Sequence, residues 1–296
     1  MEGWIMQNRK TKGDRSFITI NYILLTLTGF LTLIPILHIL AVSLSDSKYV
    51  ISNTVGILPR GFELEYYKYV LSKHDFYSSY RNTILITVIG TVLSMIVTVL
   101  TAYPLSKSWL RGRKFLLLLF VFSMIFYGGI VPSYMLMKML NLIDTLWSLI
   151  IPFLLAQFNM LIIKSYMEGL PESIEESAEI DGAGPTRILF SIVLPMCLPV
   201  LASMTLFYAV GYWNNYFHAR MFISSPGKRT LQLYLNDLII SATQLQNDMS
   251  ADEFMNLSPG GVQAATIFAA TLPILLFYPY LQKYFVTGIT VGSVKG

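Results

Sequence analysis

Six long stretches of the chain contain no Asp, Glu, Lys or Arg and consist mainly of apolar residues. They are Ser16–Ser45, Asn82–Ser106, Phe115–Met137, Thr145–Ile163, Ile188–Ala219 and Phe254–Gln282. A helix needs about 20 such residues to cross a hydrocarbon core of about 30 Å, and each stretch reaches or nearly reaches that length. Strands with open edges cannot cross lipid because their backbone groups would stay unpaired. The pattern therefore predicts an all-α integral membrane protein with six transmembrane helices.

The composition agrees with a bilayer as the main solvent. Of the 296 residues, 54% are hydrophobic and 13% are charged, whereas soluble domains carry about 25% charged residues. The first stretch is too long for a signal-peptide core, and no small-residue cleavage site follows it cleanly, so we expect a retained span. The net charge of +4 is small and its basic groups flank apolar runs, which does not indicate a nucleic-acid partner. A single cysteine, Cys197, excludes an internal disulfide and is expected to be buried.

Short basic segments predict the topology, because Lys and Arg beside spans stay in the cytoplasm. These segments are the N-terminal tail, with Arg9, Lys10, Lys12 and Arg15, and the link with Lys107, Arg111, Arg113 and Lys114. With six spans, both termini are then cytoplasmic. The expected organisation is a cytoplasmic tail (1–16), a six-helix domain (17–287) with a cytoplasmic loop (168–190), and a cytoplasmic tail (288–296). The larger outer loops would cover about 46–81 and 220–253, with a short one near 138–144.

The sequence of the cytoplasmic loop 168–190 predicts its local structure. Pro171 suits the start of a helix, and Glu172 lies near the positive end of the helix dipole. The run Asp181–Pro185 ends that helix, since its glycines permit unusual backbone angles and its proline lacks an amide donor. The sequence predicts a short helix, a bend and a second helix that enters the membrane. On composition alone, a solvated acidic hairpin that merely joins two spans explains the loop as well.

The spacing within this loop resembles the EAA loop of ABC-importer permeases. That pattern is Glu-Ala-Ala, three residues, Gly, nine residues and Ile-x-Leu-Pro. Here the matching residues are Glu176, Ala178, Gly182 and Ile192–Pro195, with Ser177 where alanine is usual.

The resemblance extends along most of the chain, to the maltose-type carbohydrate-uptake permeases and their branch for complex oligosaccharides and polysaccharide fragments. It is carried by the segments 124–152, 211–217 and 278–296. It implies a bacterial cell-membrane importer in which this chain is one of two different permease subunits. The implied partners are a dimer of ABC ATPases, an extracellular solute-binding lipoprotein and a sugar. ATP and Mg would be bound by the ATPase, with no cofactor in this chain.

The resemblance also assigns roles within the loop. The residues expected to couple to the ATPase are Glu175, Glu176, Ala178, Asp181, Gly182 and Ala183. Glu176 would pair with a basic group of the ATPase, Gly182 would allow close backbone approach, and Ala178 and Ala183 would keep the surface low. The C-terminal tail of related permeases reaches the ATPase dimer interface, which implies the same for 288–296.

Polar and aromatic groups within spans are the candidates for a sugar path, because polar groups in lipid are costly unless they line a cavity or pair. They are Gln157, Asn159, Tyr208, Tyr212, Trp213, Asn214 and Asn215. An interfacial aromatic belt or bonds to a neighbouring helix explain them equally well. His38 is expected to bond a neighbouring helix, and His74 and His218 to lie unpaired near loops. The spacing of the histidines predicts no metal site.

The sequence gives less support to other functions. The chain has no G-x-x-x-x-G-K-[ST] loop, so a motor would have to be another chain. A permease of the same architecture could carry another solute, such as a phosphorylated polyol. An ion-coupled secondary transporter would require intramembrane carboxylates, which the six stretches lack. A membrane enzyme would need a buried nucleophile or metal cluster that the sequence does not indicate.

Overall fold

The computed structural model describes residues 12–240, 257–273 and 275–276. The helices are α1 (Lys12–Ser43), α2 (Ser47–Ile51), α3 (Glu65–Ser72), α4 (His74–Ser106), α5 (Arg113–Ile125), α6 (Ile130–Met139), α7 (Gln157–Glu168), α8 (Glu172–Ile180), α9 (Pro185–Ile188), α10 (Leu194–Met196), α11 (Leu198–Trp213), α12 (Phe217–Phe222), α13 (Leu231–Ile240) and α14 (259–273). Short 3₁₀ segments cover Leu146–Leu149, Ile151–Phe153 and Pro226–Lys228, and a π-helical turn covers Leu189–Val193. Extended pairing in the described part is one isolated bridge between Ser45 and Phe62. The all-α class predicted from the sequence is confirmed for these residues.

The chain divides into two compact units, the first of which comprises residues up to Val70 together with 241–268. Its described part includes the apolar helix α1, the loop after it and the start of α14. Tyr66 is fully buried there, and its hydroxyl bonds the Ser258 hydroxyl at 2.9 Å. A Cβ on Gly261 would lie 2.1 Å from the Tyr66 ring, so only glycine permits this contact. His38 Nδ1 lies 2.9 Å from the Gly56 carbonyl oxygen, so its partner is a loop and not the neighbouring helix that the sequence suggested.

The second unit comprises 71–240 together with 269–296 and contains α4 to α13. Its main apolar cluster is formed by α4, α7 and the segment from α9 to α11, with Met160, Ile163, Val193 and Cys197 at its centre. Cys197 is fully buried, as the sequence predicts. A second cluster joins α4, the 3₁₀ turns and α12 around Leu149 and Ala219. These two clusters hold the walls of the sites described below.

The predicted spans are only partly simple helices. α1 and α4 are each long and apolar enough to cross a membrane. Three further candidates are bent pairs: α5 with α6 at 112°, the 3₁₀ turns with α7 at 43°, and Pro185–Met196 with α11 at 83°. The described helices therefore provide two to five spans. The sixth stretch, both chain ends and much of the outer loop 220–253 lie partly or wholly outside the described residues.

The bends have local causes that apolar composition does not reveal. Between α5 and α6, Gly129 has a φ of +97°, a conformation that favours glycine. At the 83° bend, Pro199 stands in the first turn of α11, where it cannot donate the hydrogen bond that would continue the preceding helix. The π-helical turn shortly before this bend further interrupts the regular pattern of α-helical backbone hydrogen bonds. The sequence prediction of a second helix entering the membrane from the loop is thus modified, because α9–α10 and α11 run in different directions.

Candidate functional site

A cavity of about 750 Å³ lies in the second unit. Its walls come from the 3₁₀ turn and the start of α7 on one side, and from the end of α11 and α12 on the other. The lining residues are Pro152, Phe153, Leu155, Ala156, Gln157, Phe158, Asn159, Phe207, Tyr208, Gly211, Tyr212, Asn214, Asn215, Tyr216, Phe217 and His218. None of these lining residues is Asp, Glu, Lys or Arg. The wall therefore offers amides, phenols and aromatic faces rather than fixed charges.

Two tyrosines fix the inner wall of the cavity. The Tyr208 hydroxyl lies 2.7 Å from the Thr98 hydroxyl and accepts a hydrogen bond from the backbone N–H of Ala156 at 2.9 Å. The Tyr212 hydroxyl lies 2.8 Å from the Ser94 hydroxyl. Hydrogen bonding satisfies both phenols within the apolar interior, where an unpaired hydroxyl would be costly. These bonds tie α11 to α4 and to the start of α7.

Tyr212 also depends on a glycine opposite its ring. A Cβ on Gly90 of α4 would lie 2.7 Å from a ring carbon of Tyr212, closer than van der Waals contact permits. The absence of a side chain at Gly90 thus lets α11 approach α4 at this level. By contrast, a Cβ on Gly211, on the cavity wall, would meet no atom within 4 Å.

The rim of the cavity is a hydrogen-bonded aromatic cluster. The side-chain amide oxygen of Asn215, Oδ1, accepts a hydrogen bond from the His218 backbone N–H at 3.3 Å and lies 3.0 Å from His218 Nδ1. The His218 ring centroid lies 4.4 Å from that of Phe153 across the cavity wall. The Tyr216 hydroxyl donates to Asn236 of α13 at 2.9 Å. The sequence prediction that His218 is unpaired is therefore wrong.

Most of the predicted path residues come together. Gln157, Asn159, Tyr208, Tyr212, Asn214 and Asn215 all line the cavity. Trp213 does not; it is buried, and its ring meets Tyr80 edge-on at 6.1 Å. In a helix, consecutive residues point in different directions, which explains why Tyr212 and Trp213 separate. Sequence reasoning missed Phe153, Phe158 and Phe217, because phenylalanines are too common in apolar stretches to signal a wall.

The second candidate site is the helix–turn–helix from α8 to α9. The turn places Gly182 at a φ of +79°. The Gly182 N–H donates to the Glu179 carbonyl at 3.0 Å, and the Ala183 N–H donates to the Ala178 carbonyl at 2.9 Å. This pair of bonds is a Schellman motif, which ends a helix on a glycine in the left-handed conformation. The short helix, the bend and the second helix predicted from the sequence are confirmed.

The two faces of α8 differ sharply. The outer face presents Glu176, Glu179 and Asp181 as exposed carboxylates, and Ile180 is 87% exposed at the end of the helix. On the inner face, Ala178 and Ala183 pack against the main apolar cluster, which differs from the low outer surface expected for them. Glu175 is also turned inward, where its carboxylate forms an ion pair with Lys107 of the link after α4. A Cβ on Gly182 would meet no atom within 4 Å, so its surface is open.

The described residues contain no group of three or more His, Cys, Asp or Glu side chains arranged to hold a metal ion. What they do offer is an uncharged, amide- and aromatic-lined cavity and a protruding acidic helix end. The first can bind hydroxyl-rich molecules, and the second can dock on a complementary basic surface.

Comparison with known proteins places this arrangement in a family. The profile of the binding-protein-dependent transport system inner membrane component matches residues 107–291. Protein LplC of Bacillus subtilis is 42% identical over 97% of both chains. The polygalacturonan/rhamnogalacturonan transport system permease protein YtcP of the same organism is 39% identical over 96% of this chain and 99% of its own.

Solved structures agree. A chain from the crystal structure of a bacterial ABC transporter involved in the import of the acidic polysaccharide alginate is 34% identical, with a TM-score of 0.86 over 93% of this chain and 98% of that chain. A chain of the alginate transporter crystallised with an alginate pentasaccharide-bound periplasmic protein is 13% identical and has a TM-score of 0.61, which shows the shared fold. The chain therefore belongs to the family of inner membrane components of binding-protein-dependent transport systems, the permease subunits of ABC importers.

Proposed function

We propose that this chain forms part of the membrane path for an oligosaccharide, as one of two different permease subunits in a bacterial ATP-driven importer. The expected partners are the second permease, a dimer of ATPase subunits that bind ATP and Mg, and an extracellular solute-binding lipoprotein. The observation that carries the proposal is that one compact unit holds both the uncharged cavity and the exposed α8 turn.

The cavity chemistry supports a sugar as the transported solute. Sugar hydroxyls need hydrogen-bonding partners, which Gln157, Asn159 and Asn214 can provide as both donors and acceptors. Aromatic rings such as Phe158 offer flat apolar faces for the C–H faces of a pyranose. YtcP and the alginate transporter are both named for polysaccharides, which favours an oligomer over a monosaccharide.

The α8 turn supports coupling to a separate ATPase. Glu176, Asp181 and Gly182 form an exposed acidic end that suits a basic groove on a partner subunit. The Schellman bonds and the inward packing of Ala178 and Ala183 hold this end in one shape. If its shape is fixed, the α8 turn can move as a rigid body when the ATPase dimer closes. This movement would tilt the two spans that the turn joins.

The proposed topology has six spans with both termini in the cytoplasm. α1, α4 and the three bent pairs supply five candidates, and α14 lies within the sixth apolar stretch. The basic residues of the N-terminal tail and of the link 107–114 favour the cytoplasmic side for these segments. In the same topology, the α8 turn faces the ATPase and the short loop near 138–144 faces outward.

The test is transport in proteoliposomes by the complete importer, in which this chain is combined with the second permease, the ATPase and the binding lipoprotein. We expect ATP-dependent uptake of a radiolabelled oligosaccharide, with oligogalacturonides, rhamnogalacturonan fragments and neutral malto-oligosaccharides compared in parallel. The ATPase should copurify with the permease pair. Uptake that does not depend on ATP but is driven by an imposed proton or sodium gradient would contradict the proposal.

A further inference from the structure

A partly buried ion pair joins α8 to the end of α4. Lys107 directly follows α4, and its Nζ donates to both carboxylate oxygens of Glu175. The two side chains are only 15% and 17% exposed. The same ammonium group lies 4.9 Å from the centroid of the Tyr103 ring, which adds a cation–π contact. Lys107 is thus held on the α4 side while it holds Glu175.

A second ion pair joins the polypeptide just before α8 to the start of α5. Glu168, the last residue of α7, pairs with Arg113, the first residue of α5. Lys164 pairs with the same carboxylate at 2.7 Å. Arg113 is oriented by a 2.8 Å hydrogen bond from its Nε to the Leu105 carbonyl near the end of α4. The two pairs therefore clamp α8 and its entry to the short segment between α4 and α5.

Apolar contacts lie beside both pairs. Leu110 of the link, Leu170 before α8 and Ala178 within it all pack against the main apolar cluster. The chain itself connects α8 only to α7 and α9. Without the pairs, a tilt of α8 could be absorbed by bending at Gly169–Pro171 or at the Gly182 turn. The pairs add connections to α4 and α5, and α4 also carries the partners of Tyr208 and Tyr212.

We propose that the Lys107–Glu175 and Arg113–Glu168 pairs are positioning contacts that make the ends of α4 and α5 follow every movement of α8. This inference rests on the proposed function of α8 as the coupling helix. It assigns Glu175 to coupling within this chain and leaves Glu176 for the ATPase. Separating either pair would leave a partly desolvated charge without its partner, so the geometry favours joint movement over separation.

The experiment uses the complete importer in proteoliposomes and measures three quantities: ATPase association, ATP hydrolysis and sugar uptake. Lys107→Met should retain ATPase association and hydrolysis but lower the sugar moved per ATP by at least about fivefold, because the charge of Glu175 is left uncompensated. The matched control is Lys114→Met in the same link. Lys114 is exposed and has no ion pair among the described residues. The Lys114→Met variant should therefore move as much sugar per ATP as the wild type.

A charge exchange distinguishes the pair from either residue alone. Lys107→Glu with Glu175→Lys should recover most of the sugar moved per ATP, whereas each single reversal should lose it, as a direct interaction requires. The inference is overturned if Lys107→Met keeps the normal ratio, if its association and uptake fall in parallel, or if the exchange is as defective as the two single reversals combined. Failure of the proposed function has a different signature, since wild-type liposomes would then show no ATP-dependent uptake.

Discussion

The cavity wall and the α8 turn lie in the same unit but are held by different chemistry. Tyr208 and Tyr212 are fixed in the cavity wall by bonds between neutral hydroxyls and by a glycine contact. The α8 turn is fixed by two charged pairs and by backbone bonds around Gly182. Hydroxyl pairs are stable in lipid-like surroundings, where a lone charge is costly, while ion pairs suit a region at the edge of the bilayer.

This difference separates two kinds of defect. A change in the α8 turn should disturb association or coupling with the ATPase and leave the cavity intact. A change in the cavity wall should disturb sugar passage and leave ATPase association intact.

Replacement of Gly182 should have the largest effect. At a φ of +79°, a β-branched side chain is strained, and a left-handed conformation costs L-residues roughly 1–2 kcal/mol. We expect Gly182→Val to lower ATPase association and sugar uptake by roughly five- to thirtyfold, as an energy of that size implies. Detergent pull-down and uptake at matched membrane levels measure both.

Gly182→Asn is the matched control, because asparagine tolerates the left-handed conformation better than other side chains. The open space at Gly182 leaves room for it within this chain, so its effect should be clearly smaller. An asparagine variant as defective as the valine variant would show that the bare surface, rather than the backbone angle, is what the ATPase requires.

Gly90→Val should break the cavity side of the comparison. The new Cβ would lie 2.7 Å from the Tyr212 ring and would displace it from its bond to Ser94. We expect uptake to fall by about tenfold, in line with the 1–3 kcal/mol that overpacking a core costs. ATPase association should remain normal, since neither residue belongs to the α8 turn.

Gly211→Ala provides the control for Gly90, because a Cβ there meets nothing within 4 Å. Because Gly211 also lies on the cavity wall, uptake by this variant should fall, but much less than uptake by Gly90→Val. Loss of ATPase association in Gly90→Val would contradict the separation of the two regions, since it would show that the cavity wall and α8 fail together.

Several of these features were predictable from residues, and others were not. The α8 turn was, because the spacing of Pro171, Gly182 and Pro185 punctuates the backbone directly. The bends at Gly129 and Pro199 were not, because apolar composition indicates that a segment lies in lipid but not the direction in which it runs. The sequence predicts Trp213 on the sugar path beside Tyr212, but only Tyr212 lines the cavity, since composition alone does not reveal which face of α11 borders it.

The inward turn of Glu175 was equally hidden in the sequence. Glu175 and Glu176 are identical side chains at adjacent positions, and their roles separate only through the position of Lys107, 68 residues earlier in the chain. Contacts between residues so far apart depend on the packing of α4 against α7 and α11, which no local pattern encodes.

Tyr208→Phe should have a moderate effect on stability. It removes the hydroxyl that bonds Thr98 and the N–H of Ala156, and a buried group left unpaired costs about 1–3 kcal/mol. We expect a lower midpoint of thermal unfolding in detergent. Trp213→Phe is the control, because the indole Nε1 is buried with no hydrogen-bond partner among the described residues. If the tryptophan variant is the less stable of the two, then packing and not hydroxyl bonding holds this wall.

The smallest effect is expected from Asp144→Asn. This substitution tests whether a charge also stabilises the part of the unit that contains the cavity. Asp144, in the loop after α6, accepts hydrogen bonds from the N–H groups of Ser224 and Ser225, from the Ser225 hydroxyl and from Lys228. The Ser225 hydroxyl bond is the first cause that holds the pKa of Asp144 well below its ordinary range. These bonds tie the loop to the segment that follows α12, the helix whose first residues, Phe217 and His218, line the cavity.

The sign of the pH dependence follows from that lowered pKa. A carboxyl whose pKa is lower in the folded state contributes stability above its unfolded pKa, about 3.9, and loses it as the pH falls towards the folded value. Asparagine has the shape of aspartate and tolerates the φ of +57° at this position, but it carries no charge. At pH 7 the variant should unfold at a slightly lower temperature than wild type, and the difference should shrink as the pH falls below about 4. Thermal unfolding in detergent at both pH values measures this. A difference that persists unchanged at low pH would mean that the shape of the loop, and not the charge of Asp144, holds it to the segment after α12, in which case stabilisation by charge would be confined to the α8 turn.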